Sequence, residues 1–152
     1  MPALQMRIRR ATAADIPELM ALEKHAATAA HWSMEQYETV FSNEPARIVL
    51  ILEEESAVQG FIAGRALDKE WEIENIVVAE SIRRRGFGMR LVGEFLELAR
   101  DQSAEKIFLE VRESNLAARR LYEKWAFVES GRRKGYYQAP EEDAVIYHFG
   151  LA

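Results

Sequence analysis

The stretch from Ile73 to Ala99 constrains this chain more than any other. Ile73-Glu74-Asn75-Ile76-Val77-Val78 is rich in β-branched residues and reads as a strand. Arg83-Arg84-Arg85-Gly86-Phe87-Gly88 follows within a few residues. From Gly86 to about Gln102 the apolar residues Met89, Val92, Phe95, Leu96 and Ala99 recur at helical spacing. A strand, a basic glycine-bearing turn and a helix N-terminus together make an anion site. The first-turn N–H groups lack intrahelical partners, and the helix dipole favours negative charge there. Glycine at 86 and 88 lets a pyrophosphate approach the backbone, and arginine adds charge-assisted hydrogen bonds. No Lys-Ser or Lys-Thr follows these glycines, so this is not a Walker loop. Position 91 is Leu, so it is not a dinucleotide fingerprint. Taken alone, the three arginines read equally well as a solvated helix cap.

Around that segment the chain reads as one domain, residues 1–152, with no repeat and no Pro/Gly/Ser-rich linker. Met6 to Arg10 is a short strand. Thr12, with Asp15 three residues on, caps a helix running to about His25. Ser33-Met34-Glu35-Gln36 has capping-box spacing and opens a second helix ending near Asn43. Arg47 to Leu52 and Ala57 to Leu67 form a hairpin about the polar Glu53-Glu54-Glu55-Ser56. Trp71 to Ala79 and Lys106 to Val111 are strands. Ala118, Leu121, Tyr122 and Trp125 share one helix face. Phe127 to Tyr137 and Asp143 to Phe149 close the chain with two more strands. Such an order predicts a mixed α/β sheet with helices on both faces.

Composition removes several classes of function. Hydrophobic residues at 49% and charged residues at 30% exclude a disordered or low-complexity chain. The absence of cysteine excludes disulfides, thiolate metal sites and an acyl-cysteine intermediate. A net charge of -5 argues against nucleic acid as a partner and favours a basic peptide or a cationic amine. His25, His31 and His148 lack ligand spacing, so no metal is expected. No apolar run approaches about 18 residues, and MPALQMRIRR carries no signal-peptide core. A soluble, cytoplasmic protein without a membrane partner is the expectation.

Glu110 stands out on physical grounds. It interrupts the apolar run Ile107-Phe108-Leu109 before Val111, in what should be a central strand buried on both faces. A carboxylate there is costly unless it is paired or faces a cavity. The plain alternative is an ion pair with Arg112 or a helix arginine. Tyr122, on an apolar helix face, reads by itself as core packing. Asn115 suits a helix N-cap.

Spacing adds a resemblance. Arg83-x-x-Gly86-x-Gly88 after a strand ending in Val77-Val78 resembles the acetyl-CoA loop of the GNAT N-acetyltransferase superfamily. Asn115 to Phe127 resembles that superfamily's N-x-x-A-x-x-x-Y-x-x-x-G-F motif, with Ala126 in place of the glycine. Phe108 to Asn115, Arg133-Lys134-Gly135-Tyr136-Tyr137 and the His31-Trp32-Ser33 turn resemble the ribosomal-protein-alanine N-acetyltransferases, the RimI type, with His in place of the turn's Pro. The resemblance covers essentially the whole chain. It implies a single-domain GNAT-like α/β fold: a mixed, mostly antiparallel sheet with a splayed central strand pair and helices on both faces.

Carried over residue by residue, the resemblance implies acetyl-CoA as co-substrate. Ile76, Val77 and Val78 would offer backbone bonds to its pantetheine arm and acetyl carbonyl. Arg84, Arg85, Gly86, Phe87, Gly88 and Met89 would line the pyrophosphate, and Asn115 would bind the pantetheine side. Glu110 would be the general base and Tyr122 the general acid. Trp32, Tyr136 and Tyr137 would face the acceptor. Glu72 sits where histone lysine acetyltransferases of the superfamily place their base, and Glu74 departs from the expected apolar residue. Either would bind the acceptor's positive N-terminus or a basic second residue. The implied reaction is direct transfer, in a ternary complex, to the N-terminal alanine of a small-subunit ribosomal protein. The alternative acceptor is a small amine or a lysine side chain. An α-amine of pKa about 8 is roughly one-tenth neutral at pH 7, whereas lysine is under about a thousandth. An N-terminus therefore needs only modest help from one carboxylate.

Overall fold

The computed structural model describes residues 6–24, 33–42, 47–79 and 85–151. Its strands are β1 (Met6–Arg10), β2 (Arg47–Glu54), β3 (Ala57–Leu67), β4 (Glu70–Val78), β5 (Lys106–Arg112), β6 (Val128–Tyr137) and β7 (Glu142–Gly150). Its helices are α1 (Ile16–Lys24), α2 (Met34–Ser42), α3 (Phe87–Asp101) and α4 (Leu116–Lys124). The strands form one sheet in the order β1-β2-β3-β4-β5-β7-β6. Every neighbouring pair is antiparallel except β4 and β5.

Local chemistry sets the elements as the sequence predicts, with small corrections. Asp15 Oδ2 accepts from the Thr12 backbone N–H at 2.8 Å before a short 3-10 turn that leads into α1. Ser33 and Gln36 form the reciprocal capping box of α2: Ser33 N–H donates to Gln36 Oε1 at 2.8 Å and Gln36 N–H to Ser33 Oγ at 3.2 Å. Glu53 and Glu54 belong to β2 rather than to the hairpin loop. The turn narrows to Glu55 and Ser56, both at positive φ as a tight two-residue hairpin requires.

Two apolar layers sandwich the sheet. On one face α3 presents Leu91, Val92, Phe95, Leu96 and Ala99 to the large core, with Tyr122 of α4 in the same cluster. On the other face Ile16 and Leu19 of α1 and Tyr37 of α2 pack on Val49, Phe61 and Val77. The expectation that β5 is buried on both faces is corrected. Ile107, Leu109 and Val111 are buried, while Phe108, Glu110 and Arg112 are only half-buried on the opposite face. β5 is parallel to β4 only as far as Leu109 and antiparallel to β7 along its whole length, and antiparallel pairing lets one face of a strand stay partly open.

Candidate active site

The site begins where two neighbouring strands part. β4 and β5 pair only from Glu70↔Lys106 to Ile73↔Leu109, while β4 stays paired with β3 as far as Val78. The cause lies in β4 itself. The β3 register shifts between Ala63↔Asn75 and Gly64↔Ile73, so Glu74 is an extra residue, a β-bulge. On the near side of the bulge Trp71 and Ile73 face the α3 core. Beyond it Ile76 and Val78 face that core, and Val77 faces α1. Ala79 N–H donates to Gln59 O at 2.7 Å. By the alternation of an antiparallel ladder, Val77 also turns its backbone to β3, and the peptide groups of Ile76 and Val78 turn towards β5.

The turn into α3 follows. Gly86 is its N-cap, left-handed at φ 82°, with nothing within 4 Å of where a Cβ would stand. Arg85 lies over the Phe87 ring at 5.0 Å. Phe87 is buried, Gly88 and Met89 are half-buried, and a Cβ on Gly88 would stand 3.3 Å from Leu121 of α4. A cradle of backbone N–H groups, uncrowded at Gly86 and flanked by a guanidinium, fits a pyrophosphate. Arg84 and Trp32 lie outside the described residues.

Glu110 is the first residue of β5 past its last pair with β4. Its partner is neither Arg112 nor a helix arginine but Arg133 of β6, whose Nη1 donates to both carboxylate oxygens at 3.1 and 3.3 Å. Tyr122 is buried, its ring 5.5 Å from Phe127 and 6.5 Å from Tyr147. Its hydroxyl makes no hydrogen bond among the described residues. Burial pushes the Tyr122 hydroxyl far above the ordinary phenol value, and neighbouring Tyr137 adds to this. The Tyr137 hydroxyl is likewise pushed up, by burial and then by the Glu110 carboxylate. Tyr137 thus lies within electrostatic reach of Glu110 on one side and of Tyr122 on the other. Asn115 is the N-cap of α4, its Oδ1 accepting from Ala118 N–H at 3.2 Å.

Glu72 and Glu74 share the opposite face from the α3 core and are compensated already. Arg65 donates to Glu72 at 3.0 Å, and Arg47 to Glu74 at 2.7 Å. Burial still raises the Glu74 carboxyl above its ordinary value. Tyr136 is exposed beside Arg133, and Tyr137 lies under Arg112 at 4.4 Å, their own rings 5.1 Å apart. Sequence reasoning missed Glu23. It is buried between the helices and β4, where Tyr37 Oη donates to its Oε1 and Asn75 Nδ2 donates at 3.1 Å. The signal was available, because Ile16, Leu19 and Glu23 fall at i, i+3 and i+7 of one buried face.

Among the described residues no helix is long and apolar enough to cross a membrane. The chain is 33% identical over 143 residues to the ribosomal protein bS18-alanine N-acetyltransferase of Haemophilus influenzae, covering 91% of this chain and 94% of that one. It is 32% identical over 135 residues to the enzyme of the same name from Salmonella typhimurium, covering 87% and 88%. The crystal structure of the ribosomal-protein-S18-alanine N-acetyltransferase of Escherichia coli superposes with a TM-score of 0.86 over 97% of this chain and 95% of that one, at 24% identity. Residues 15–127 match the acetyltransferase (GNAT) family, and this chain, with its splayed strand pair, basic glycine turn and capped α4, belongs to it.

Proposed function

We propose that this protein is an acetyl-CoA-dependent N-α-acetyltransferase whose acceptor is the N-terminal alanine of a small-subunit ribosomal protein, modified in the cytoplasm. The observation that carries the chemistry is the parting of β4 and β5 beyond Ile73 and Leu109, with Glu110 the first residue of β5 past it. The acceptor class is supported by relatives of near-equal length that carry that name.

In this reading Ile76 and Val78 hold the pantetheine arm through their backbone, while Val77 anchors the strand to β3. Arg85 and the N–H groups after Gly86 hold the pyrophosphate. Asn115 fixes the start of α4, and so the height of Tyr122 above the gap. Glu110, directly or through water, accepts a proton from the acceptor's α-ammonium. The amine nitrogen then bonds to the acetyl carbon as the carbon–sulfur bond breaks; Tyr122 donates its proton to the departing sulfur, and the second proton shed by the nitrogen passes through water to re-protonate Tyr122. Transfer is direct in this reading rather than through an acyl-cysteine, since the chain has no cysteine. Glu110 is preferred to Glu72 as base because Glu72 lies on the paired part of β4, whereas Glu110 lies just past the last pair.

The test is CoA release with mass mapping on two peptides. One begins with a free alanine followed by arginine, and the other is N-terminally blocked and contains lysine. Acetylation of the free α-amine alone is expected. Acetylation of the blocked peptide overturns the acceptor, and activity on neither turns the reading to a small amine.

A further inference from the structure

Arg133 is the last residue of β6 in regular register with β7, opposite Ala144, before three residues bulge out ahead of Tyr137. Its guanidinium is held twice, by the Glu110 carboxylate and by the Tyr136 ring 3.9 Å away. A carboxylate and an aromatic face are the groups that recognise an ammonium ion. The Arg133 side chain is 50% exposed and that of Glu110 only 22%. Arg133 thus reaches in from the surface and is the more exposed partner of the pair. Lys134, its neighbour, is exposed and makes no such contact.

We propose that Arg133 is a resident stand-in for the acceptor's α-ammonium, and that acceptor binding exchanges one cation for another at Glu110. The proposal rests on the reading of Glu110 as base. It makes Arg133 a positioning residue that sets selectivity. The carboxylate is compensated before the acceptor arrives and again once it has bound. A neutral, blocked chain end that displaced Arg133 would leave Glu110 uncompensated, so such ends are rejected as a class. Because Arg133 is half-exposed and a cationic end restores the charge beside Glu110, the exchange costs little.

Steady-state kinetics on the free-alanine peptide test this. Arg133→Gln is expected to lower the acceptor KM by about two- to fivefold, with kcat changed far less and the KM for acetyl-CoA unchanged. Arg133→Lys, which keeps a cation there, is expected to restore the wild-type KM. Lys134→Gln removes the same charge one residue away and is expected to leave the acceptor KM in place. A rise in acceptor KM in Arg133→Gln would overturn the exchange, since Arg133 would then be holding the acceptor. An equal fall in Lys134→Gln would also overturn it, in favour of a general field effect. A Glu110→Gln enzyme of near-normal kcat would remove the base itself, a separate result, because the Arg133 variants are read with Glu110 intact.

Discussion

Ile73 and Leu109 form the last pair of the parallel ladder between β4 and β5, and Glu110 is the first residue beyond it. Glu72 lies on the closed side of that pair, bonded to Arg65. Glu110→Gln is therefore expected to lower kcat by about 10²- to 10⁴-fold, the usual worth of a general base. Glu72→Gln should leave kcat near wild type. Initial rates with saturating acetyl-CoA decide it, and the reverse pattern exchanges the two roles.

Tyr122 has its proton locked in by burial. A phenol whose pKa is raised stays protonated through its ordinary value of about 10, so it remains competent to protonate a thiolate across the working range. The kcat profile should show no alkaline fall between about pH 8 and pH 10 from this group. Tyr122→Phe keeps the ring packing and should cost about 10²- to 10⁴-fold in kcat.

Ala126 takes the left-handed conformation at φ 69° just past α4. Phe127 N–H donates to Tyr122 O and Ala126 N–H to Glu123 O, at 3.0 and 2.9 Å, the Schellman pattern that favours glycine. Ala126→Gly relieves the Cβ strain and should stabilise the fold by about 1 kcal/mol after the entropic cost of glycine. Thermal denaturation reads this as a rise of about 2–4 °C, with KM for both substrates unchanged.

Gly64 allows the close approach behind the β4 bulge. A Cβ there would stand 2.3 Å from Glu72 O and 2.6 Å from Phe95 Cζ. Gly64→Ala should cost about 1–3 kcal/mol. Because Gly64 pairs with Ile73, it should also raise the KM for acetyl-CoA by shifting β4. A melting curve and a titration of acetyl-CoA separate the two effects.

Asp15 accepts from Arg9 at 2.8 and 3.0 Å and from Thr12 N–H, and the Arg9 guanidinium holds its carboxyl below the ordinary value. A depressed folded-state pKa means that the unfolded chain binds the proton first as pH falls. The stabilisation is thus complete above about pH 4 and is lost as pH drops through the folded value. Asp15→Asn should be less stable at pH 7 by about 1–3 kcal/mol. Urea curves of the two proteins should converge below about pH 4.

The strands and helices were legible because each carries its own signal: β-branched runs in β2 and β4, the Ser33–Gln36 box, the periodic apolar face of α3. The glycine turn into α3 was legible for the same reason, since backbone and glycine write it locally. What stayed hidden depends on pairs distant in the chain. Arg133 meets Glu110 across 23 positions, and nothing near Glu110 announces it. The compensation of Glu72 and Glu74 by Arg65 and Arg47 needs the register of three strands. β5 looked buried on both sides because Phe108 made the run continuous, whereas only alternate residues are covered.

The bulge at Glu74 makes β4 two strands of opposite phase joined end to end. Odd-numbered residues meet α3 before it and even-numbered residues after it. Drawing Glu74 into the ladder as an ordinary residue, with no bulge, would therefore do more than straighten the strand. It would turn the apolar Ile76 towards Glu23 and carry the amide of Asn75 into the hydrocarbon under α3. The chain keeps its hydrophobic and polar sides in order only by a one-residue miscount.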